Sequence, residues 1–305
     1  MPEKVVEVNS LVKRYKDLIA VDNISFDVYK GEIFSLVGPN AAGKTTTVEI
    51  LECLRKPTSG SAKVLGLDVL TEEKEIKKRI GVMPQNFNTF ERLTVKENVE
   101  LVATIYGIKH DIKELLELLG LWEVRNKKFG TLSGGMKRRV GVCMALVSDP
   151  ELLFLDEPTT ALDPKARREC WEIIKNLKKL GKTVFLTTHY MEEVEKLSDR
   201  ASVILKGKVV ATDQISTLIS KYGGGVKVAV SGGKKPEEIL RQFTQRVSRD
   251  DNNIIGLFQK EREAKKALAQ LYQLEDVEIE VLRAGMDDVF FRLIGAKIDE
   301  RGELV

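Results

Sequence analysis

Nine consecutive residues restrict this chain more than any other stretch: Gly38-Pro39-Asn40-Ala41-Ala42-Gly43-Lys44-Thr45-Thr46. They satisfy the pattern G-x-x-x-x-G-K-[ST]. A loop that wraps backbone N–H groups around an anion needs tight turns and close approach, which glycine permits. The helix that follows aims its free N–H groups and partial positive charge at phosphates. Lys44 adds a full charge at the β/γ end, and Thr45 offers a hydroxyl to Mg²⁺. The context fits the pattern. Ile33–Val37 is a short apolar run of the kind a strand buried on both faces shows, and a helix is expected from the loop to about Leu54. The loop therefore implies a nucleoside triphosphate with Mg²⁺.

The rest of the chain reads as α/β. Val5–Val12, Ala20–Val28, Leu152–Leu155 and Thr183–Thr187 have strand character, with a helix expected over Lys165–Lys179 between the last two. Alternating strands and helices predict a largely parallel sheet covered by helices. Residues of about 86–146 differ: Val95–Ile105, Ile112–Leu119 and Lys137–Leu146 read as helices, a lobe beside the sheet. Near residue 220 the style changes. Lys221-Tyr222-Gly223-Gly224-Gly225 reads as a linker or sharp turn. Beyond it the order is strand 226–230, helix 236–246, strand 254–258, helix 261–272, strand 277–282 and helix 286–295. The expectation is a domain over 1–219 and a small α+β domain over 220–305.

Bulk properties remove several classes. The chain carries 49 Lys and Arg against 46 Asp and Glu, a balance too weak to imply nucleic acid. No apolar run approaches the ~20 residues needed to cross a bilayer, and no stretch has the form of a signal peptide. A membrane role would require a partner. Cys53, Cys143 and Cys170 are isolated in the sequence and read as reduced thiols of a cytoplasmic protein, with no metal site.

Further motifs narrow the nucleotide reading. Leu152-Leu153-Phe154-Leu155-Asp156-Glu157 is an apolar strand that delivers two carboxylates to its end. Asp156 can hold a Mg²⁺ shell and Glu157 can poise a water. Leu132-Ser133-Gly134-Gly135-Met136 opens a helix expected near Lys137, a second anion-binding helix start. Together with Gln85, Ala161-Leu162-Asp163 and His189, these motifs resemble the ABC ATPase family over residues 1–219. The resemblance implies a P-loop ATPase fold with a helical subdomain. It implies that Tyr15 stacks on adenine, and that Gln85 touches Mg²⁺ and water and couples to a membrane domain. Glu157 would be the catalytic carboxylate, Asp163 a link between two active sites, and His189 the switch residue at the γ-phosphate. It also implies a head-to-tail dimer, with a second copy or a homologous subunit. The P-loop of one subunit and Ser133-Gly134-Gly135 of the other then sandwich each ATP. An integral-membrane permease at the cytoplasmic face of the cell membrane is the implied partner. A non-transport ABC ATPase with a regulatory or assembly role is the alternative.

Two positions depart from the family pattern. Ala41 stands where glycine is usual, and Met136 replaces a common glutamine. The second resembles the drug-resistance and ABC-2-type exporter group, as does the stretch 284–293 more loosely. Phe87 and Phe90 either pack against the helical lobe or meet the permease. Lys77-Lys78-Arg79 and Lys137-Arg138-Arg139 are expected on solvated helix faces, and His110 on the surface.

Overall fold

The computed structural model describes residues 2–108, 111–250, 253–274, 277–299 and 301–304; His110 lies outside them. Strands Ile33–Val37, Leu152–Asp156 and Thr183–Thr188 are buried at every position. They form the centre of a six-stranded sheet ordered Lys208–Gln214, Arg200–Leu205, Ile33–Val37, Thr183–Thr188, Leu152–Asp156, Ile80–Met83. The four pairings from Arg200–Leu205 to Ile80–Met83 are parallel. Because successive side chains point to opposite faces, each strand feeds two cores. Phe34, Leu36, Phe154 and Phe185 pack with Ile50 and Leu51 of helix Lys44–Leu51. Ile33, Leu153, Leu155 and Leu186 pack instead with Trp171 and Ile174 of helix Pro164–Lys179. The Phe34–Phe185 and Phe185–Phe154 ring centroids are each 5.4 Å apart, contacts that bind three neighbouring strands.

The first two strands are longer than their apolar patterns, Lys4–Tyr15 and Leu18–Tyr29, and pair antiparallel. They belong to a separate four-stranded sheet with Ser59–Val64 and Leu67–Asp68. Ser59–Val64 escapes a sequence reading because only Ala62 and Val64 of its residues are buried. The lobe contains helices Val95–Ile105, Lys113–Leu118 and Gly134–Leu146. Thr94 and Glu97 close a capping box on the first. The last begins at Gly134 rather than near Lys137. Ser133 is its N-cap, its hydroxyl accepting from the Met136 N–H at 3.3 Å, so both glycines lie in the first turn.

The chain divides into two compact units. The first spans Met1–Thr212 and also takes in Ile298–Glu303. The second starts at Asp213, ahead of the predicted linker, whose Gly224 and Gly225 adopt φ of 95° and 86°. It is an antiparallel sheet ordered Val247–Asp250, Asn253–Phe258, Val226–Ser231, Ile279–Arg283. Helices Lys234–Phe243 and Glu261–Leu271 bury Leu240, Ala264, Ala267 and Leu271 in its core, and Met286–Ile294 follows. The strand Val247–Asp250 is absent from the sequence reading, which runs the preceding helix to Arg246. Its residues, Val-Ser-Arg-Asp, include one apolar side chain, too few to show an alternation.

Candidate nucleotide site

The phosphate loop turns where side chains cannot fit. A Cβ on Gly43, which sits at φ 104°, would lie 2.4 Å from the Ala20 carbonyl oxygen. One on Gly38 would lie 2.2 Å from that of Ile204. Gly43 is the N-cap of helix Lys44–Leu51, and the left-handed backbone there bends the loop into the helix. Ala41 is also left-handed, at φ 58°. That conformation costs an alanine about 1–2 kcal/mol relative to glycine. The greater freedom of glycine in the unfolded chain offsets part of this, about 0.4–1 kcal/mol. Ala41→Gly is therefore expected to stabilise the protein by roughly 0.5–1 kcal/mol. The check is a higher denaturant midpoint at unchanged slope, and a lowered midpoint would contradict the strain.

Lys44 is 5% exposed. Its ammonium donates to the carbonyls of Gly38 at 2.8 Å and Pro39 at 3.0 Å and lies 3.4 Å from Glu157 Oε1. Burial lowers its pKa, and Glu157 opposes that. Glu157 is held in turn from several sides. Its Oε2 is 3.1 Å from His189 Nδ1 and accepts from Thr160 Oγ1 at 2.9 Å and Gln85 Nε2 at 3.4 Å. Burial alone would raise its pKa, but the His189 hydrogen bond and the Lys44 charge outweigh it, and the carboxyl falls to about 2. The backbone of Glu157 is left-handed, φ 47°, which turns this side chain out of the strand's alternation. Asp156, one residue earlier, accepts from the hydroxyls of Thr187 and Thr45. Its burial pushes its pKa up, against the Thr187 bond.

A cavity of about 650 Å³ is lined by Tyr15, residues 40–46, Gln85 and Glu157. The structure thus brings together the loop, Gln85 and Glu157. Gly38 and Pro39 form the turn whose carbonyls hold Lys44. His189 is 4% exposed and reaches the site through Glu157. Tyr15 is half-buried, with Lys13 Nζ 5.0 Å from its ring centroid. Ser133, Gly134 and Gly135 are not among the residues that line this cavity. Asp163 caps helix Pro164–Lys179, accepting from the Lys165 and Ala166 N–H groups at 3.0 Å each.

Several participants were missed. Leu18, Ile19, Ala20, Lys206 and Gly207 also line the cavity, and the Gly207 N–H donates to the Ala42 carbonyl at 2.9 Å. A Lys-Gly pair between two short strands gave the only cue. Glu193 is fully buried and accepts from Thr159 Oγ1 at 2.8 Å and Trp171 Nε1 at 3.0 Å. It braces the turn after Glu157. The basic run Lys137-Arg138-Arg139 is not a solvated face. All three residues are half-buried, and Arg138 donates to the Gln85 carbonyl at 2.8 Å while Arg139 pairs with Glu169 at 3.0 Å. Arg138 ties the helix that Ser133 caps to the loop that carries Gln85.

An anion-binding loop with a buried lysine, a strand-end aspartate and an ionised glutamate, all at the ends of parallel strands, define a P-loop nucleoside triphosphatase. Comparison with known proteins narrows this. The family model described as "ABC transporter" matches residues 21–160. The daunorubicin/doxorubicin resistance ATP-binding protein of Streptomyces peucetius is 34% identical over 98% of this chain and 95% of its own length. The Nod factor export ATP-binding protein I of Paraburkholderia xenovorans is 36% identical over 98% and 100%. A solved dimeric ATP-binding cassette in a post-hydrolysis state with ADP and phosphate is 30% identical, with a TM-score of 0.62, over 68% of this chain and 98% of that one. The chain belongs to the ABC transporter family as an ATP-binding, ATP-hydrolysing subunit.

Proposed function

We propose that this subunit powers export through a separate membrane-spanning permease, working as a head-to-tail pair. The observation that carries the ATPase part is the Lys44–Glu157–His189 cluster at the phosphate loop. The export direction is supported by relatives whose names are drug resistance and Nod factor export, matched over nearly the whole chain. The need for a second subunit is supported by the position of Ser133–Gly135, a capped helix start outside its own cavity. In the pair it closes on the ATP of the other copy, and Asp163, which caps the helix after the Glu157 turn, links the two sites.

Within the site, Tyr15 receives the adenine and the loop 38–46 cradles the phosphates. Glu157 orients or deprotonates the attacking water. His189 reports the γ-phosphate through its contact with Glu157. Thr45, Asp156 and Gln85 offer a set of oxygen donors, the chemistry Mg²⁺ prefers, and Thr45 and Asp156 are already hydrogen-bonded to each other. They would hold the ion, which would neutralise charge on the phosphates.

Among the described residues no helix is long and apolar enough to cross a membrane. The permease contact must be a surface, and the first unit has a suitable one. A groove of about 430 Å³ between the parallel sheet and the lobe is lined by Leu54, Phe87, Val102 and Tyr106, among others. Phe87 packs edge-on against Phe129, with centroids 5.9 Å apart, so it belongs to the lobe's core. Phe90 is 61% exposed, and Leu54 and Ile105 are exposed as well. An amphipathic segment of the permease at the cytoplasmic membrane face fits this surface, and Gln85 lies a few residues from it. Phe90→Asp is expected to abolish copurification with the permease and transport while leaving ATP binding by the isolated subunit unchanged. Undiminished transport by that variant would remove Phe90 from the interface.

A further inference from the structure

The C-terminal residues Ile298–Glu303 belong to the first unit, and they meet it at the phosphate loop. Asn40 makes hydrogen bonds there. Its N–H donates to the Gly302 carbonyl at 2.7 Å. Its side-chain amide donates to the Arg301 carbonyl at 2.7 Å and to the Glu303 carboxylate at 3.2 Å. The turn that presents these acceptors is preorganised. Asp299 Oδ1 accepts from the N–H groups of Arg301 and Glu303, both at 2.9 Å. The Gly302 N–H closes on the Asp299 carbonyl at 3.0 Å. Gly302 is buried and left-handed, φ 82°, and a Cβ there would lie 2.7 Å from the Asn40 side-chain oxygen. Only glycine satisfies both the turn and the close approach.

Asn40 also lines the cavity at the loop, but none of the described residues 298, 299 and 301–303 does. The turn therefore sits on the outer side of the loop and leaves the cavity open. A sandwich dimer must bring Ser133–Gly135 of a second subunit over the mouth of that cavity, against the same loop. We infer that the segment 298–303 is an intramolecular ligand for the phosphate-loop rim at Asn40, one that competes with the second subunit for this surface and not with ATP. The inference rests on the head-to-tail reading above. Two neutral hydrogen bonds and one to a carboxylate are enough to shift a dimer equilibrium by about tenfold or more.

The test uses the full chain carrying Glu157→Gln, so that ATP is bound and not consumed. Gly302→Val and Asp299→Ala are added separately, the first to block the approach to Asn40 and the second to loosen the turn. ATP-driven dimerisation is followed by light scattering against protein concentration, and monomer affinity by a fluorescent ATP analogue. The expected result is dimerisation at about tenfold lower protein concentration for both variants, with nucleotide affinity unchanged within about twofold. Dimerisation equal to that of the parent would overturn the inference and leave the head-to-tail reading intact. Tighter nucleotide binding with unchanged dimerisation would overturn it too, because the segment would then be gating ATP. No ATP-dependent dimer in the parent or in either variant would sink both readings.

Discussion

Glu157→Gln is expected to lower ATP hydrolysis by about 10²–10⁴-fold, the range for losing a positioned general base, with ATP still bound. The carboxyl is 5% exposed at its side chain and ionised down to about pH 2, so at neutral pH it is a ready acceptor beside the phosphate loop. The amide keeps the size and the contacts with Thr160 and Gln85 but cannot take a proton. Bound ATP then persists, and a stable ATP-dependent dimer accumulates. Single-turnover hydrolysis and light scattering measure both effects. Hydrolysis at the rate of the parent would remove Glu157 from the reaction.

Lys44→Ala is expected to weaken ATP binding by about 30-fold or more, equivalent to ~2 kcal/mol for a lost charge-assisted contact in a buried site. Equilibrium titration with a fluorescent analogue is the measurement, and unchanged affinity would refute the role. The substitution has a second effect with a definite sign. The native pKa of Glu157 lies below its ordinary value, so its ionisation favours folding at any pH above that ordinary value. The contribution is lost as pH falls from about 4.5 toward 2. Without the Lys44 charge the depression shrinks. Acid unfolding of Lys44→Ala should depend less steeply on pH through this window.

Much of the site was legible because its chemistry is local in sequence. Nine loop residues, one apolar strand ending in two acids and one serine-glycine helix start each carry a complete physical reason for their spacing. His189 was legible only in the company of those motifs, since a lone buried histidine has many uses. The three strands Ile33–Val37, Leu152–Asp156 and Thr183–Thr188 were read from continuous apolar runs, whereas the parallel strands Arg200–Leu205 and Ile80–Met83 were not. The strands Ser59–Val64 and Lys208–Gln214 were not either, because few or none of their side chains are fully buried, and Ser59–Val64 also pairs with a strand far back in the sequence. The same limit hid the partners of the site. Nothing in the order Lys-Arg-Arg indicates that Arg138 reaches the carbonyl of Gln85, fifty-three positions away. Nothing in the acidic run Met191-Glu192-Glu193 indicates that Thr159 and Trp171 converge on Glu193. The contact of residues 298–303 with Asn40 spans nearly the whole chain, and no motif announces it.

The Gly38 and Pro39 carbonyls surround the Lys44 ammonium, and the Glu157 carboxylate balances its charge. A socket already neutral has little to offer a small anion. Free phosphate, sulfate or chloride would have to displace Glu157 and would gain only the N–H groups of the loop in return. On the proposed reading ATP could do so, because Tyr15 and the rest of the loop would hold the other parts of the molecule. If the site takes ATP as proposed, the Lys44–Glu157 pair would disfavour the commonest anions of the cell, by what must be broken before anything can bind. By the same reasoning, Glu157→Gln leaves Lys44 without an acidic partner, and that variant should collect inorganic phosphate that the parent ignores.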